Sequence, residues 1–358
     1  MNTHRRLPAI LAATIALAVQ ATHGDDFVGK DFSLRFSAAL GRFEPYADVA
    51  AKGGSSAALP FGSSNNPASG VWRFPDNPGA DGGTDHYRIN VSGQYSNVSF
   101  SNAAQLHFAS DSITFGTAES GIFRIDTGAI KSNERTTLNR PLGFGFELGG
   151  GRLNYARKSG DFSIGATAGY AHSTTTFSSG GIHLVDGEKD IWNFRLGGLW
   201  NPGKSNWFLG LVSTYICGPT DTTTLARLPS GQRLPLTTGD TTHQFTVQPG
   251  IALHWRHDHY FQGYIHADYQ FVNLSNSTGS LTEHRFLAGV DIPVTRWPYL
   301  RSGGFTDEKG NAGWTAGLGL YLDRKVLLDL AYQNNNFPEV AQEFGRSQTL
   351  NASLSVRW

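Results

Sequence analysis

The chain ends in Leu350-Asn351-Ala352-Ser353-Leu354-Ser355-Val356-Arg357-Trp358, a stretch in which apolar and polar side chains alternate without a break. Apolar residues hold the even positions and polar residues hold the odd ones. A strict period of two predicts a β-strand whose two faces meet different surroundings. Trp358 falls on the apolar face, so the strand stays amphipathic to its final position.

The same alternation recurs in residues 190–200, 260–271 and 283–295, where one face is apolar and the other carries charged residues. In a soluble sandwich the charged face would meet water outside. In a membrane barrel it lines the lumen, and the apolar face meets lipid. A last strand that stops on an apolar-facing Trp is typical of bacterial outer-membrane barrels, where it resembles the signal read by the barrel-assembly machinery. Lipid cannot satisfy backbone hydrogen-bonding groups, so such a sheet must close on itself.

The composition fits an all-β protein. The 358 residues include 43 Gly, 23 Phe, 12 Tyr and 8 Trp, a mixture that favours many tight turns and aromatic strands. The 29 basic and 29 acidic residues balance, so charge gives no reason to expect a nucleic-acid partner. Cys217 is the only cysteine, which excludes an intrachain disulfide. Beyond the N-terminal region no segment reaches the roughly 18 consecutive apolar residues of a membrane-spanning helix, which excludes a helical membrane protein.

Residues 1–21 have the pattern of a secretory signal peptide. Arg5 and Arg6 precede a short apolar run, and Val19-Gln20-Ala21 supplies small residues at a cleavage position, with Gly24 as the competing site. The apolar run is too short for a hydrocarbon core, which needs about 20 residues. The sequence therefore predicts export through the inner membrane and a location in the Gram-negative outer membrane.

Fourteen candidate strands follow, and their connections alternate in length. The strands are predicted at residues 87–100, 104–116, 121–131, 142–157, 161–175, 188–200, 206–217, 242–256, 259–273, 283–295, 299–306, 312–322, 326–336 and 347–358. The connections at 132–141, 176–187, 218–241, 274–282 and 337–346 are long, that at 306–311 is of medium length, and those between them are short, with 101–103 as the one exception to the alternation. Outer-membrane barrels have an even number of strands, short periplasmic turns and longer external loops. The pattern predicts an all-β, transmembrane antiparallel barrel with its long connections outside.

Tryptophans mark two levels of this barrel. Trp192 and Trp200 lie eight positions apart on one face. At about 3.3 Å per residue and a tilt near 40°, eight positions span roughly 20 Å, close to an apolar band of about 25 Å. We expect aromatic girdles at both interfaces, although tryptophans packed in an ordinary core are the alternative. Trp200, Trp207, Trp255, Trp297 and Trp358 fall at periplasmic strand ends, and Trp192 and Trp314 fall at external ends.

In residues 22–86, apolar and polar side chains do not alternate regularly. They contain a run of small residues at 53–58 and four prolines, which predict irregular chain with one short helix near 46–52. The segment is rich in aromatic residues, unlike a disordered tail. A fourteen-stranded barrel is wider than an eight-stranded one, whose interior side chains fill it, so we expect this segment to plug the lumen. The predicted organisation is a signal peptide at 1–21, an N-terminal plug or hatch at 22–86 and a transmembrane barrel at 87–358.

Within the plug lies Asn65-Asn66-Pro67-Ala68, after the small-residue run. Here the chain resembles the FadL/TodX-type family of outer-membrane transporters for long-chain fatty acids and aromatic hydrocarbons, whose hatch carries an Asn-Pro-Ala motif. The match falls on Asn66, Pro67 and Ala68. The resemblance implies passive uptake of a hydrophobic small molecule. It also implies a sideways exit through a kink in the third strand, for which Gly121 and Gly128 are the candidate positions.

The polar face of the strands supplies candidate lumen residues. A mixed-charge passage is one interpretation; the favoured one is that these charges pair with each other and with the plug, because buried charges need partners. Leu287, Tyr321, Leu327, Ile191 and Leu199 fall in the same phase and supply apolar pockets. The lumen-facing candidates are Arg124, Asp126, Arg195, Tyr264, His266, Asp268, Arg285 and Asp291.

Catalysis, metal binding and cofactors are not expected. The chain has no Gly-x-Ser-x-Gly elbow and no compact nucleophile, base and carboxylate set on one strand, although an outer-membrane lipase, deacylase or protease remains an alternative because barrel sites assemble across strands. His254-x-x-His257-x-His259 straddles a tight turn and lacks zinc-type spacing.

The leading function is passive uptake of hydrophobic small molecules across the outer membrane. A general diffusion porin for hydrophilic solutes is the first alternative, and a structural or adhesion barrel that uses residues 218–241 is the second. The expected partners are a hydrophobic substrate, the lipids and lipopolysaccharide of the outer membrane, and the assembly machinery acting on the strand that ends at Trp358.

Overall fold

The fold was described from a computed structural model. It describes residues 32–41, 43, 47–50, 52, 54–59, 66–72, 89–117, 120–133, 135–136, 143–179, 182–227, 233–256, 262–277, 279–294, 298–323 and 326–358. The predicted signal peptide and Asn65 lie outside these residues. None of the described helices is long and apolar enough to cross a membrane.

The wall is one antiparallel sheet. Its strands are β1 (Asn90–Phe100), β2 (Gln105–Thr117), β3 (Gly121–Ser132), β4 (Arg135–Thr136), β5 (Gly143–Ser159), β6 (Phe162–Ser179), β7 (Ile182–Trp200), β8 (Trp207–Arg227), β9 (Arg233–Arg256), β10 (Gln262–Asn276), β11 (Gly279–Pro293), β12 (Pro298–Asp307), β13 (Ala312–Asp323), β14 (Val326–Asn334) and β15 (Ser347–Arg357). The two-residue β4 pairs with β5 just beyond β3, so the wall has fourteen strand positions.

The sheet closes into a barrel. Each strand pairs with its neighbours in the chain, and β1 pairs with β15 along its whole length. Beyond the strands, Trp358 donates its backbone N–H to the carbonyl oxygen of Ile89 at 2.9 Å. We call this end of the barrel the Trp358 end and the opposite end the far end. The predicted fold class, a closed barrel of fourteen antiparallel strands, is confirmed.

The terminal strand shows how the two faces divide. Leu350 exposes 61% of its surface outward, whereas Thr349 is fully buried and Asn351 exposes 3%. The division is the same across the barrel, since Phe286 and Ile265 are exposed and the charged Arg285 and Asp268 are buried. The apolar face therefore points out and the polar face points in, as a membrane barrel requires.

The tryptophans predicted for the girdles point outward. Trp192 lies near the middle of β7 and Trp200 is its last residue, and each exposes nearly half of its surface. Trp192 packs on Tyr170 with ring centroids 4.9 Å apart, and Trp314 packs on Tyr332 at 5.2 Å. Trp297 lies outside the described residues. The aromatic side chains therefore form two outward-facing levels.

Three predicted loops are instead strands, which is a correction. The connections at 176–187 and 274–282 shrink to a few residues because β6, β7, β10 and β11 continue through them. The stretch 218–241 is largely a hairpin, in which β8 and β9 stay paired from Gly218 and Thr242 up to Arg227 and Arg233. Threonines dominate this hairpin, and their β-branched side chains suit strands. Pro219 and Pro235 do not end the ladder, since they lie at paired positions opposite Thr241 and Leu225.

The described parts of residues 32–72 form short elements. They are helix α1 (Phe32–Gly41), helix α2 (Ala47–Ala50) and a 3₁₀ helix at Pro67–Trp72. The connection between β14 and β15 also folds, into a 3₁₀ helix at Pro338–Val340 and helix α3 (Ala341–Phe344). Most of these residues are buried, and their partners on the wall define the candidate site.

Candidate functional site

The described residues of the N-terminal segment lie against the inner wall at glycines. A Cβ atom on Gly210 would fall 1.9 Å from the carbonyl oxygen of Ala57, and one on Gly165 would fall 2.4 Å from the carbonyl carbon of Pro67. At Gly303 the nearest atom would be the carbonyl carbon of Lys52, also at 2.4 Å. No side chain fits such gaps. These strand glycines therefore let the segment backbone touch the wall backbone.

Asn66 of the predicted hatch motif joins the segment to the wall. Its Nδ2 donates to the carbonyl oxygens of Ala57 at 2.6 Å and Gly198 at 2.9 Å, and its Oδ1 accepts from the Ala68 N–H at 3.0 Å. The Ser163 hydroxyl on β6 donates to the Ala68 carbonyl at 3.0 Å. Pro67 starts the 3₁₀ helix, where its missing N–H costs no bond. Asn66 is buried, so its amide satisfies two buried carbonyl groups at once.

Asp268 holds the preceding turn. Its Oδ2 accepts the backbone N–H groups of Ser56 at 2.8 Å and Ala57 at 2.9 Å, and Gln248 Nε2 donates to the same oxygen at 2.7 Å. One step nearer the Trp358 end, His266 Nδ1 lies 2.9 Å from the Ser55 hydroxyl. The predicted lumen residues Asp268 and His266 therefore both contact residues 55–57.

Asp291 lies at the centre of a buried charge network. Lys52 Nζ approaches its Oδ2 at 3.4 Å, and Arg301 Nε donates to its Oδ1 at 2.8 Å. Arg301 also donates to Asp329. Two cations thus face two carboxylates inside the barrel, which keeps each charge paired away from water.

A second network lies across the lumen on β3 and β5. Asp126 accepts from Arg124 Nε at 2.6 Å, from Arg152 Nε at 2.8 Å and from Asn154 Nδ2 at 2.9 Å. The Thr167 hydroxyl donates to Asn154 Oδ1 at 2.5 Å, which extends the network to β6. Arg124 and Asp126, two of the predicted lumen residues, are therefore bound to each other.

The remaining predicted lumen residues lie apart. Tyr264 is buried and stacks on His254 with ring centroids 4.8 Å apart. Arg195 lines the cavity described below. His257 and His259 lie outside the described residues, and among the described ones no group of three metal-ligating side chains comes together.

The β14–β15 connection folds into the far end of the barrel. Glu343 on α3 accepts from Arg35 on α1 through both carboxylate oxygens, at 2.7 and 2.9 Å. Glu339 accepts from Arg285, and both side chains of that pair are almost fully buried. Phe344 packs against Phe32 with ring centroids 6.1 Å apart. The Arg35–Glu343 pair and an aromatic cluster therefore hold this connection against α1, and the Arg285–Glu339 pair holds it against β11.

A cavity of about 540 Å³ lies between α1 and the wall formed by β2, β3 and β5–β9. Its apolar part is lined by Phe36, Phe43, Phe108, Phe146, Ile130 and Leu148. Its polar part includes Lys189, Asp240 and Gln244. Lys189 Nζ lies 3.4 Å from the Ser37 hydroxyl on α1. The cavity therefore has a phenyl-lined region and a cationic group at its edge.

The kink expected in the third strand is absent, which corrects the inference drawn from Gly121 and Gly128. β3 pairs without a register shift with β2 from Gly121 to Ser132 and with β5 from Ile122 to Lys131. Gly121 has φ of +95° but stays paired with Thr117 at the strand end. Gly128 lies opposite Gly150, and both line the cavity, so the wall there is bare backbone that remains hydrogen-bonded.

The sequence analysis did not identify several of the residues that make these contacts. Lys52, Arg35 and Lys189 were not singled out, nor were the acidic pair Glu339 and Glu343. Lys52 carries a signal, since it is a charged residue in front of an otherwise small, uncharged run. The sequence gives no sign that the two glutamates are buried, because an acidic loop is ordinarily solvated. The strand glycines could also have been identified, because they occur at inward positions of segments in which apolar and polar residues alternate.

No protein-family model matches the sequence, and comparison with curated proteins yields no match. Solved structures of similar fold include two hydrocarbon channels. The toluene transporter TodX of P. putida is 12% identical, covers 87% of this chain and 97% of its own, and superposes with a TM-score of 0.53. The monoaromatic hydrocarbon channel CymD is 12% identical, covers 87% of this chain and 96% of its own, and gives a TM-score of 0.55. The family resemblance inferred from the sequence is thus confirmed at the level of architecture: this chain has the β-barrel fold of outer-membrane hydrocarbon channels.

Proposed function

We propose that the protein is an outer-membrane channel for the passive uptake of hydrophobic small molecules, with residues 22–86 as its plug. The observation that carries this proposal is the phenyl-lined cavity between α1 and the wall. Its volume of about 540 Å³ lies in the range of small-molecule sites, which are concave and mainly apolar. TodX and CymD, which share the fold, are a toluene transporter and a hydrocarbon channel, and this supports a non-enzymatic transport role.

The lining suggests which hydrophobic molecules enter. Phe36, Phe43 and Phe108 offer aromatic faces and edges that suit a ring or an alkyl chain. Lys189 sits at the polar edge, where an ammonium group favours a carboxylate over an uncharged end. We therefore propose long-chain fatty acids or aromatic hydrocarbons as substrates, with Lys189 favouring the acids.

The contacts of residues 52–69 support the role of a plug. Lys52, Ser55, Asn66 and Ser69 are all buried within the barrel. Such packing blocks free diffusion of hydrophilic solutes, which argues against the porin alternative. The apolar exterior supports a location in lipid, with the Trp358 end toward the periplasm and the far end outside.

A test compares two variants on one strand. Thr175 on β6 lines the cavity, whereas Thr176, its neighbour, lies on the other face. Thr175→Trp fills the cavity, and Thr176→Trp is the matched control. In proteoliposomes, we expect Thr175→Trp to abolish binding and uptake of a radiolabelled fatty acid and of toluene, while Thr176→Trp retains both.

The same vesicles separate the alternatives. Rapid swelling in sugar solutions by the unmodified protein would show a diffusion porin. Vesicles that neither bind nor pass any of the probes would show a structural or adhesion barrel. Equal uptake by the unmodified protein and Thr175→Trp would disprove the cavity as the binding site.

A further inference from the structure

A row of polar side chains crosses the outer surface near the far end. In register, Asn97 on β1 faces His107 on β2, His107 faces Lys131 on β3, and Lys131 faces Glu147 on β5. All four lie on the outward face, and we call them the outer polar row. Tyr95 lies one row nearer the Trp358 end, among the outward aromatic residues. In the proposed orientation, the outer polar row stands at the level of the outer-leaflet headgroups, where aromatic belts give way to polar groups.

His107 is held in one orientation. Its Nδ1 lies 2.8 Å from the Tyr95 hydroxyl and 3.1 Å from Asn97 Nδ2. An amide nitrogen can only donate, so Nδ1 is the acceptor and the neutral ring carries its proton on Nε2. Nε2 is therefore a fixed donor on the side of the ring away from Tyr95.

Lys131 supplies a charge beside this donor. Directly opposed side chains on antiparallel strands have Cβ atoms about 5 Å apart, so His107 and Lys131 reach the same small group. Lys131 is paired with Glu147 at 2.7 Å, but their side chains are 72% and 59% exposed. Such an exposed pair contributes little, so a multiply charged anion competes with Glu147 for the ammonium group.

Between this row and the Trp358 end, the outer surface carries a row of small residues and then one carboxylate. Ala109, Ala129 and Gly149 face each other on three adjacent strands, and a Cβ atom on Gly149 would meet nothing within 4 Å. In the next row Asp111 is exposed outward between Gly93 and Thr127. A carboxylate on a lipid-facing surface is costly unless it finds a donor.

We propose that His107 and Lys131 bind a phosphate group of lipid A, the phosphorylated and hydroxyacylated glycolipid of the outer leaflet. Nε2–H and Nζ donate to the phosphate oxygens, which is the charge-assisted bonding that phosphates favour. An acyl chain lies in the trough of Ala109, Ala129 and Gly149, and its hydroxyl group donates to Asp111. The hydroxyl contact selects lipid A over glycerophospholipids, whose chains carry no hydroxyl group. This inference rests on the outer-membrane location in the proposed function.

Three similar Tyr–His pairs elsewhere lack this combination. The Tyr215 hydroxyl lies 2.8 Å from His243 Nδ1, but the residues that face His243 on the two adjacent strands are Cys217 and Ser275, and neither is a cation. Tyr269 bonds His284, but Glu308 lies 3.6 Å from the other nitrogen of that ring. Tyr170 and His172 both bond Asp190, so the carboxylate there binds the histidine itself, whereas in the outer polar row the carboxylate of Glu147 binds Lys131 and leaves His107 Nε2 to the ligand. These sites therefore provide controls of the same residue types.

The test measures lipid retained by the full purified chain in detergent, using native mass spectrometry with added diphosphoryl lipid A. The double variant His107→Gln/Lys131→Gln removes both donors to the phosphate. The control His172→Gln/Lys309→Gln makes the same exchanges at carboxylate-paired positions. We expect retention to fall about tenfold in the first, as for loss of a charge-assisted hydrogen bond, and to stay unchanged in the control.

Further probes address the two parts of the lipid. Dephosphorylated lipid A is expected to bind the unmodified chain as weakly as diphosphoryl lipid A binds the double variant. Asp111→Ala is expected to reduce the preference for lipid A over phosphatidylglycerol. The proposal is overturned if the double variant retains lipid A as the unmodified chain does, if the control loses as much, or if phosphatidylglycerol binds equally well. Thr175→Trp keeps lipid A in every case, which separates this site from the uptake cavity.

Discussion

Lys52 and Asp291 form a buried ion pair in which Nζ lies 3.4 Å from Oδ2, although 239 positions separate them in the chain. Lys52 is 1% exposed, and the carboxylate of Asp291 is shared with Arg301. The pair ties the N-terminal segment to β11 near the Trp358 end of that strand. It connects the stability of the barrel to the position of the proposed plug.

Removal of one partner of this pair is expected to be costly. Lys52→Met leaves Asp291 with a single cation, and breaking a buried pair costs about 3 to 5 kcal/mol. We expect a loss of this order or somewhat less, because Arg301 remains. Urea unfolding of the refolded barrel measures it. Lys52→Met/Asp291→Asn should be less destabilised than the sum of the two single variants; additivity would show that the pair is not coupled.

Gly197 and Gly198 give a sharper test of the plug contact. A Cβ atom on Gly197 would lie 2.0 Å from Asn66 Oδ1, whereas one on Gly198 would meet only Phe162 at 3.4 Å. Gly197→Ala should therefore displace the Asn66 turn at a cost of about 1 to 3 kcal/mol. Gly198→Ala should be close to neutral. Conductance in planar bilayers should rise only for Gly197→Ala; equal conductance of the two variants would contradict a plug seated at this point.

The ion pairs of the β14–β15 connection should control access at the far end. Glu339→Gln and Glu343→Gln remove the carboxylates that accept from Arg285 and Arg35. We expect faster hydrogen exchange at residues 338–344, since their packing depends on these contacts. Glu147→Gln is the control, because its pair with Lys131 is exposed. Exchange that is unchanged in all three variants would mean that the aromatic cluster alone holds the connection.

The last residue should matter for assembly. Trp358 donates its N–H to Ile89 and accepts the Ile89 N–H at 3.3 Å, and its ring is 62% exposed. Deletion of Trp358 removes both bonds at the closing seam together with the terminal aromatic group. We expect a strong loss of heat-modifiable folded barrel in outer-membrane fractions, with Trp358→Phe close to normal. Normal assembly of the deletion variant would exclude a role for this residue as a signal.

The alternation of residues 349–358 was sufficient to predict the fold, because a period of two with one apolar face has few structural solutions. The strand segments that lie between two outward-facing tryptophans, such as residues 192–200, were also predictable from the sequence. The hairpin of β8 and β9 was not, because its threonines alternate with no apolar face and therefore resemble a loop. The hairpin forms because its two strands pair with each other, far from any residue whose type marks the membrane.

The sequence predicted which residues face the lumen but not which residues they contact there. Asp268 and Asp291 were identified by strand phase alone. Their partners, Ser56 and Lys52, belong to irregular chain, whose path no periodicity encodes. The expected kink at Gly128 failed for a related reason: a glycine in a strand can mark a bend or a close approach, and the sequence does not say which. In this wall, most inward glycines mark close approach.

The contact at Gly210, where a methyl group would not fit between the wall and Ala57, has a consequence for biogenesis. A chain segment held with so little clearance cannot be threaded into a finished cylinder past the side chains around it. We therefore expect residues 54–59 and 66–69 to be seated while β1 and β15 are still apart, so that the joining of those two strands is the last event of insertion. Variants that weaken these contacts should then accumulate as barrels in which β1 and β15 are not paired.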